Sequence, residues 1–233
     1  MKRVRLQSGF ENSPLYEERF GYKEDKKTGI FFLVVLCCLF FVLAFRIYFT
    51  NTYSGVQVSG SSMAQTLYSG EQLLMKNTDG SDAERGDVIV VYVGGYKEFA
   101  DTSTQYLIKR LIAVEGDKVR CSQGNVEICY AGTDEWKLLD EPYAYYMQSH
   151  TQSKATYNFG EYVVGEGEIF FLGDNRHNSQ DSRYKEGYSH LNGLYKRSDI
   201  VGIVPQWAID NQKTLEKIFF NSFLGVGKNG TGN

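Results

Sequence analysis

The sequence predicts a mostly β domain, folded as a barrel or sandwich, carried behind a single N-terminal transmembrane helix. Three observations predict this. Residues 30–45 form one uncharged apolar run, the chain beyond residue 50 alternates or clusters its apolar residues in short stretches broken by glycine, and helical periodicity is scarce there. Regular strand spacing with few helices is the signature of an all-β domain.

The anchor comes first. The run Ile-Phe-Phe-Leu-Val-Val-Leu-Cys-Cys-Leu-Phe-Phe-Val-Leu-Ala-Phe is interrupted by Arg46 and continued by Ile47, Tyr48 and Phe49. Residues 30–49 give about 30 Å of helix at 1.5 Å per residue, the thickness of a hydrocarbon core. Arg46 sits near the end, where its head can reach the interface, with Tyr48 as an aromatic anchor. A cleavable leader has a shorter apolar region followed by a small-residue site. This run is longer, follows 29 largely polar residues and ends without Ala-x-Ala, so an uncleaved anchor is favoured. Lys23, Lys26 and Lys27 precede it directly, which predicts residues 1–29 in the cytoplasm and residues 50–224 outside, with a frayed Gly/Asn tail at 225–233.

Strands are expected at residues 72–75, 87–93, 106–114, 118–121, 126–130, 169–172 and 200–204. Residues 63–68 suit one short helical turn, and residues 215–224 a short amphipathic piece. The formal charge of −3 and the lack of a clustered basic face argue against a nucleic acid partner. No spacing of His, Cys and Asp suggests a metal site, and no cofactor is expected. Cys37 and Cys38 read as small hydrophobes within the anchor. Cys121 and Cys129 flank a hairpin turn at Gln123-Gly124, which puts Val126 opposite Cys121. A disulfide between them needs a looser hairpin, and free thiols are the default.

Three polar segments stand out. Val58-Ser59-Gly60-Ser61-Ser62-Met63-Ala64-Gln65-Thr66-Leu67 is a Ser/Gly-rich loop. Lys109-Arg110 interrupts an otherwise apolar strand. Gly173-Asp174-Asn175-Arg176-His177-Asn178-Ser179-Gln180-Asp181-Ser182-Arg183 is a dense polar loop directly after a strand. Taken singly, each has a plain reading: a turn, an edge strand with charges in water, a hydrogen-bonded loop.

In this order, and with Arg-Gly-Asp-Val-Ile-Val at 85–90, Gly-Asp at 116–117 and Glu-Pro-Tyr at 141–143, they resemble the bacterial type I signal peptidases. The resemblance runs from the anchor to about Gly202. It implies a membrane-anchored serine endopeptidase that cuts leader peptides after small residues, commonly Ala-x-Ala. By resemblance Ser62 is the nucleophile, Lys109 its general base, and Ser179 the hydroxyl that bonds and orients the amine. Asp174, Asp181, Arg183 and Arg110 then form ion pairs that shape the site. Val58, Met63, Leu67, Leu107 and Ile108 would line shallow apolar pockets for an extended peptide lying near Val58 and Lys109. The implied partners are signal-peptide-bearing pre-proteins, membrane lipid and a nearby export translocon.

The chemistry fits those residue types. A serine hydroxyl needs a base, and a lysine at its ordinary pKa of about 10.4 is almost wholly protonated at pH 7. Leu107, Ile108, Leu111 and Ile112 offer the apolar wall that lowers such a pKa. Arg110 alternates to the other strand face, where it can meet an aspartate, and like-charge repulsion from it would help keep Lys109 neutral. Of three histidines, His177 falls at a position the family leaves variable and reads as a solvent-facing turn residue; the eukaryotic branch carries histidine where Lys109 stands.

Two departures matter. Gln65 replaces the family's usual proline, which would loosen the turn behind Ser62. Gly60 stands where one branch has a serine of the oxyanion hole, as in the Gram-positive branch, leaving the Ser62 backbone N–H as the chief donor. The alternatives are a pilin-dedicated peptidase, a non-catalytic pilin-assembly relative, and a self-cleaving repressor. The last is disfavoured by the apolar run where a DNA-binding head would lie.

Overall fold

In a computed structural model, which describes residues 26–96, 103–183, 195–215 and 217, the chain divides between Phe49 and Thr50 into two units. The first holds most of helix α1, Lys26–Thr52, which extends the expected span at both ends. Residues 27–52 are long and apolar enough to cross a membrane. From Ile30 to Tyr48 the large apolar side chains are exposed all round the helix. An all-round apolar helix belongs in a protein core or a bilayer, and among the described residues the apolar window of this one is not buried.

The second unit contains eleven strands among the described residues: β1 Tyr53–Gln57, β2 Gln72–Asn77, β3 Val88–Tyr92, β4 Tyr106–Val114, β5 Lys118–Ser122, β6 Asn125–Cys129, β7 Trp136–Leu138, β8 Phe159–Val163, β9 Glu168–Leu172, β10 Tyr195–Lys196 and β11 Ile200–Val204. Seven form an antiparallel sheet ordered β1-β2-β11-β3-β4-β9-β10, and four form a second ordered β7-β6-β5-β8. The mostly β expectation holds, and all seven predicted strands are present. The strands β1, β7, β8 and β10 were not predicted. Helices α2, Gln206–Asp210, and α3, Gln212–Leu215, follow β11. Of the amphipathic piece expected at 215–224, all but Leu215 and Lys217 lies outside the described residues.

β4 and β9 form the wall shared by two cores. On β9, Ile169 and Phe171 enter one cluster with Ile89, Val91, Leu107 and Leu111, while Phe170 and Leu172 enter the other with Val119, Val126 and Ile128. Period-two alternation on a strand buried on both faces yields the continuous Ile-Phe-Phe-Leu. The β4–β9 register shifts between Leu111 and Ala113, so one extra residue of β4 is accommodated as a bulge there.

The Arg-Gly-Asp and Gly-Asp segments meet. Arg85 donates to both oxygens of Asp117 at 2.7 and 2.8 Å, and the fully buried Asp117 also accepts from the backbone of Val114 and Ala131. The hairpin β5–β6 turns through Gln123 and Gly124, both at positive φ, as a tight two-residue turn requires. Its register sets Cys121 against Val126 and Cys129 against Lys118. Both thiols are free and buried, Cys121 toward the Tyr157 carbonyl and Cys129 toward that of Thr133.

Candidate active site

Ser62 opens a tight turn at the end of the first hairpin. Val58 and Gly70 continue the β1–β2 pairing, and Leu67 N–H then donates to Met63 O at 2.8 Å in a single helical turn, as expected for residues 63–68. Met63 and Leu67, 2% and 1% exposed, fix this turn into the core. Gln65 has φ +80°, in the left-handed region. Proline is locked near −65°, so the turn here is a different turn from one that proline can make, and not a loosened version of it.

The polar loop after β9 grips the same segment. Asn175 donates its backbone N–H to Ser62 O and its amide to Ser61 O, both at 3.0 Å, and Asn178 Nδ2 donates to Ser61 Oγ at 2.8 Å. Gly173 makes this approach feasible, because a Cβ there would stand 2.5 Å from Ser62 O and collide with Ser179.

Lys109 comes from β4. Its Nζ donates to Ser62 Oγ at 2.7 Å and to Ile108 O at 2.9 Å, and the residue is 2% exposed. Burial lowers its pKa from 10.5 to about 8, against the carboxylates of Asp181 and Asp174, which pull it upward. The expected repulsion from Arg110 is not among the causes. Arg110 is engaged by Asp174, bidentate at 2.9 and 2.7 Å, with its third nitrogen on Gly86 O and its plane over the Tyr143 ring at 3.8 Å. It does lie away from the amine, on the other strand face, as alternation requires.

Thr66 Oγ1 donates to Asp174 at 2.6 Å, tying the pair to the Ser62 turn. Arg183 binds Asp181 at 2.7 and 3.0 Å, and Asp181 accepts from Gly173 N–H. These two pairs match the sequence expectation as contacts. A third pair was missed: Arg176, fully buried, donates to Glu141 at 3.0 and 2.6 Å. Both residues lie within quoted motifs, 35 residues apart, and their place in those motifs was the one signal the sequence offered.

Two expectations are corrected. Ser179 Oγ is buried and makes no hydrogen bond, so it does not hold the Lys109 amine, whose bonds go to Ser62 and Ile108. His177 does not face solvent. Both its ring nitrogens are buried, and its ring packs edge-on against Tyr146 and Tyr157 at 6.1 and 5.6 Å. Burial and the nearby Arg183 lower its pKa.

A cleft of about 440 Å³ opens over Ser62 and Lys109. Val58, Met63, Leu107 and Ile108 line it, as expected, while Leu67 is buried beneath and does not. Tyr106, Asn178 and Gln180 line it as well. β4 pairs with β3 over Tyr106 to Arg110, but with β9 only from Arg110 onward, so among the described residues the second backbone edge of residues 106–109 has no strand partner. Among the same residues β1 has a single strand neighbour.

The family described as "Signal peptidase, peptidase S26" matches residues 28–207. The signal peptidase I of Bacillus licheniformis is 30% identical over 166 residues, covering 68% of this chain and 81% of the relative. Signal peptidase I P of Bacillus subtilis subsp. natto is 30% identical over 191 residues, covering 79% and 91%. A solved structure of a signal peptidase I from Enterococcus faecalis aligns with TM-score 0.37 at 24% identity, over 54% of this chain and 98% of that one.

Proposed function

The chain belongs to the signal peptidase family, peptidase S26, and from that premise we propose that it removes signal peptides from exported pre-proteins by a Ser62–Lys109 dyad. It is a serine endopeptidase of the signal peptidase I type. The observation that carries the dyad is the 2.7 Å contact between a serine hydroxyl and an amine that burial has brought down to about pH 8.

At pH 7 about a tenth of such amines are neutral, against well under a hundredth for an ordinary lysine. In the neutral form the hydrogen bond reverses, and Ser62 Oγ–H donates to the Nζ lone pair. Attack on the scissile carbonyl transfers that proton to Lys109, and the ammonium then protonates the leaving amine. The same pair activates water to release the acyl chain. The Ser62 backbone N–H makes no hydrogen bond among the described residues, which leaves it available to the oxyanion.

The substrate lies extended between the open edges of β4 and β1, adding its own backbone hydrogen bonds. Val58, Met63, Leu107 and Ile108 form the walls that admit small side chains before the bond and exclude large ones by bulk. Asp174, Arg110, Asp181 and Arg183 hold the two loops in register. Helix α1 anchors the enzyme in the plasma membrane with a cytoplasmic N terminus, so the cleft works outside, close to the lipid and the export machinery.

The test is cleavage of a pre-protein by the purified chain. Ser62→Ala and Lys109→Met are each expected to abolish processing while retaining binding. Unchanged cleavage by either variant removes the dyad. A non-catalytic role in pilin assembly gives no reason for a buried amine in contact with a hydroxyl.

A further inference from the structure

The cleft continues past the Ser62–Lys109 pair along the edge of β4 to Tyr106 and Thr104; Tyr106 is three residues from Lys109 and about 10 Å away at strand spacing. Tyr106 is 53% exposed. Its register partner on β3 is Tyr92, 38% exposed, and the two rings stand 5.4 Å apart, tilted by 59°. The Tyr92 ring is seated on Gly94: a Cβ there would come within 2.9 Å of the phenol oxygen and 3.1 Å of two ring carbons. Gly94 has no positive φ, so its want of a side chain serves the ring and not the backbone. Tyr106 lines the cleft and Tyr92 packs beside it; two stiff aromatic plates, one on a glycine seat and both reaching solvent, are the usual make-up of a binding surface.

We propose that Tyr106 and Tyr92 form an aromatic shelf that receives an apolar side chain of the substrate four or five residues before the cut. This rests on the signal peptidase reading and extends it to a determinant of specificity. The direction follows from the walls. Leu107 and Ile108 lead from Lys109 toward Tyr106, whereas Asn178 and Gln180 make the opposing wall polar. Small side chains at the first and third positions before the bond occupy the narrow part. A leader's apolar core of about 7–15 residues begins just upstream of them. At about 3.3 Å per residue, the fourth or fifth residue arrives over Tyr106. Continuity with the cleft favours a peptide segment over lipid as the occupant.

The experiment uses the full chain in detergent micelles and two peptides of the Ala-x-Ala type, identical except for leucine or serine at positions four and five before the bond. The wild type should prefer the leucine peptide by about tenfold, carried in KM. Tyr106→Ser and Tyr92→Ser should bring the preference to within about twofold of unity, while Tyr106→Phe should keep it. Equal losses on both peptides, or a preference that survives both serine variants, overturns the shelf. So does a defect that emerges only when lipid vesicles are added, which would place the rings against the membrane. If the wild type cuts neither peptide and matches Ser62→Ala, the underlying signal peptidase reading falls first and takes the shelf with it.

Discussion

Lys109 Nζ lies 2.7 Å from Ser62 Oγ while 2% of the residue is open to solvent, and these two facts act in the same direction. Burial weakens the amine's hold on its proton, and the contact gives the lone pair of the neutral form a hydroxyl to accept from. Since the working base is the deprotonated amine, kcat/KM should rise about tenfold per pH unit below pH 8 and level off above it. A kcat/KM–pH profile with a peptide substrate checks this. A plateau already established at pH 6 would rule out Lys109 as the titrating base.

The same burial makes Lys109 a cost to the fold. Its proton is held more weakly in the folded chain, with a pKa of about 8, than in the unfolded chain at about 10.5. Between those values the unfolded chain binds protons that the folded chain does not, so stability rises with pH, and the full penalty is present below pH 8. Lys109→Met should therefore be inactive yet more stable at pH 6–7, by on the order of 3 kcal/mol. The gain should fade as pH approaches 10.5. Urea titrations of both proteins at pH 6.5 and 10.5 decide it; an undiminished gain at the higher pH would point to packing instead.

What the sequence made legible depended on how much apolar surface each segment buries. β4 and β9 enter a core on each face, so their apolar runs announce them. The missed strands carry weaker sequence patterns: β1 is Tyr-Ser-Gly-Val-Gln at the sheet edge, β7 has three residues, β10 two, and in β8 Gly160 and Glu161 break the run between Phe159 and Tyr162, which pack into a core. The meeting of Ser62 and Lys109, 47 residues apart, lies beyond periodicity, and only the family motifs pointed to it. Resemblance in turn misplaced Ser179, because Lys109 already has two partners, Ser62 Oγ and Ile108 O, and Ser179 Oγ is buried without one. His177 was misread because its polar neighbours in sequence hide Tyr146 and Tyr157, which meet it only in the fold.

The Arg110–Asp174 pair should be the most sensitive ion pair at the site. Their side chains are 7% and 0% exposed, and Asp174 also accepts from Thr66. Removing one partner of a buried pair strands the other charge and costs about 3–5 kcal/mol. Arg110→Met should show that loss in urea unfolding and weaken catalysis, since Thr66 and the Ser62 turn lean on Asp174. Arg120→Met, which removes a partner from the half-exposed Arg120–Glu127 pair, should change stability by less than about 1 kcal/mol. Equal small effects from both would mean that Asp174 finds water in place of its arginine.

Gln65 gives the sharpest test of the nucleophile turn. At φ +80° a side chain with a Cβ is strained by about 1–2 kcal/mol, which glycine would relieve and proline cannot tolerate. Gln65→Gly should therefore leave stability unchanged or raise it by up to about 1 kcal/mol, the relief being partly offset by the freer unfolded chain. Gln65→Pro restores the residue usual in the family, yet it requires a rotation of roughly 145° in φ between Met63 and Leu67, both fixed in the core. Rebuilding that turn displaces Ser62 at its head, so the proline variant should lose at least about 2 kcal/mol of stability and at least about tenfold in kcat, with KM less affected. Thermal unfolding and peptide kinetics on the two variants read these effects separately. A proline variant as stable and as active as the wild type would show that residue 65 does not hold the left-handed conformation on which the turn depends.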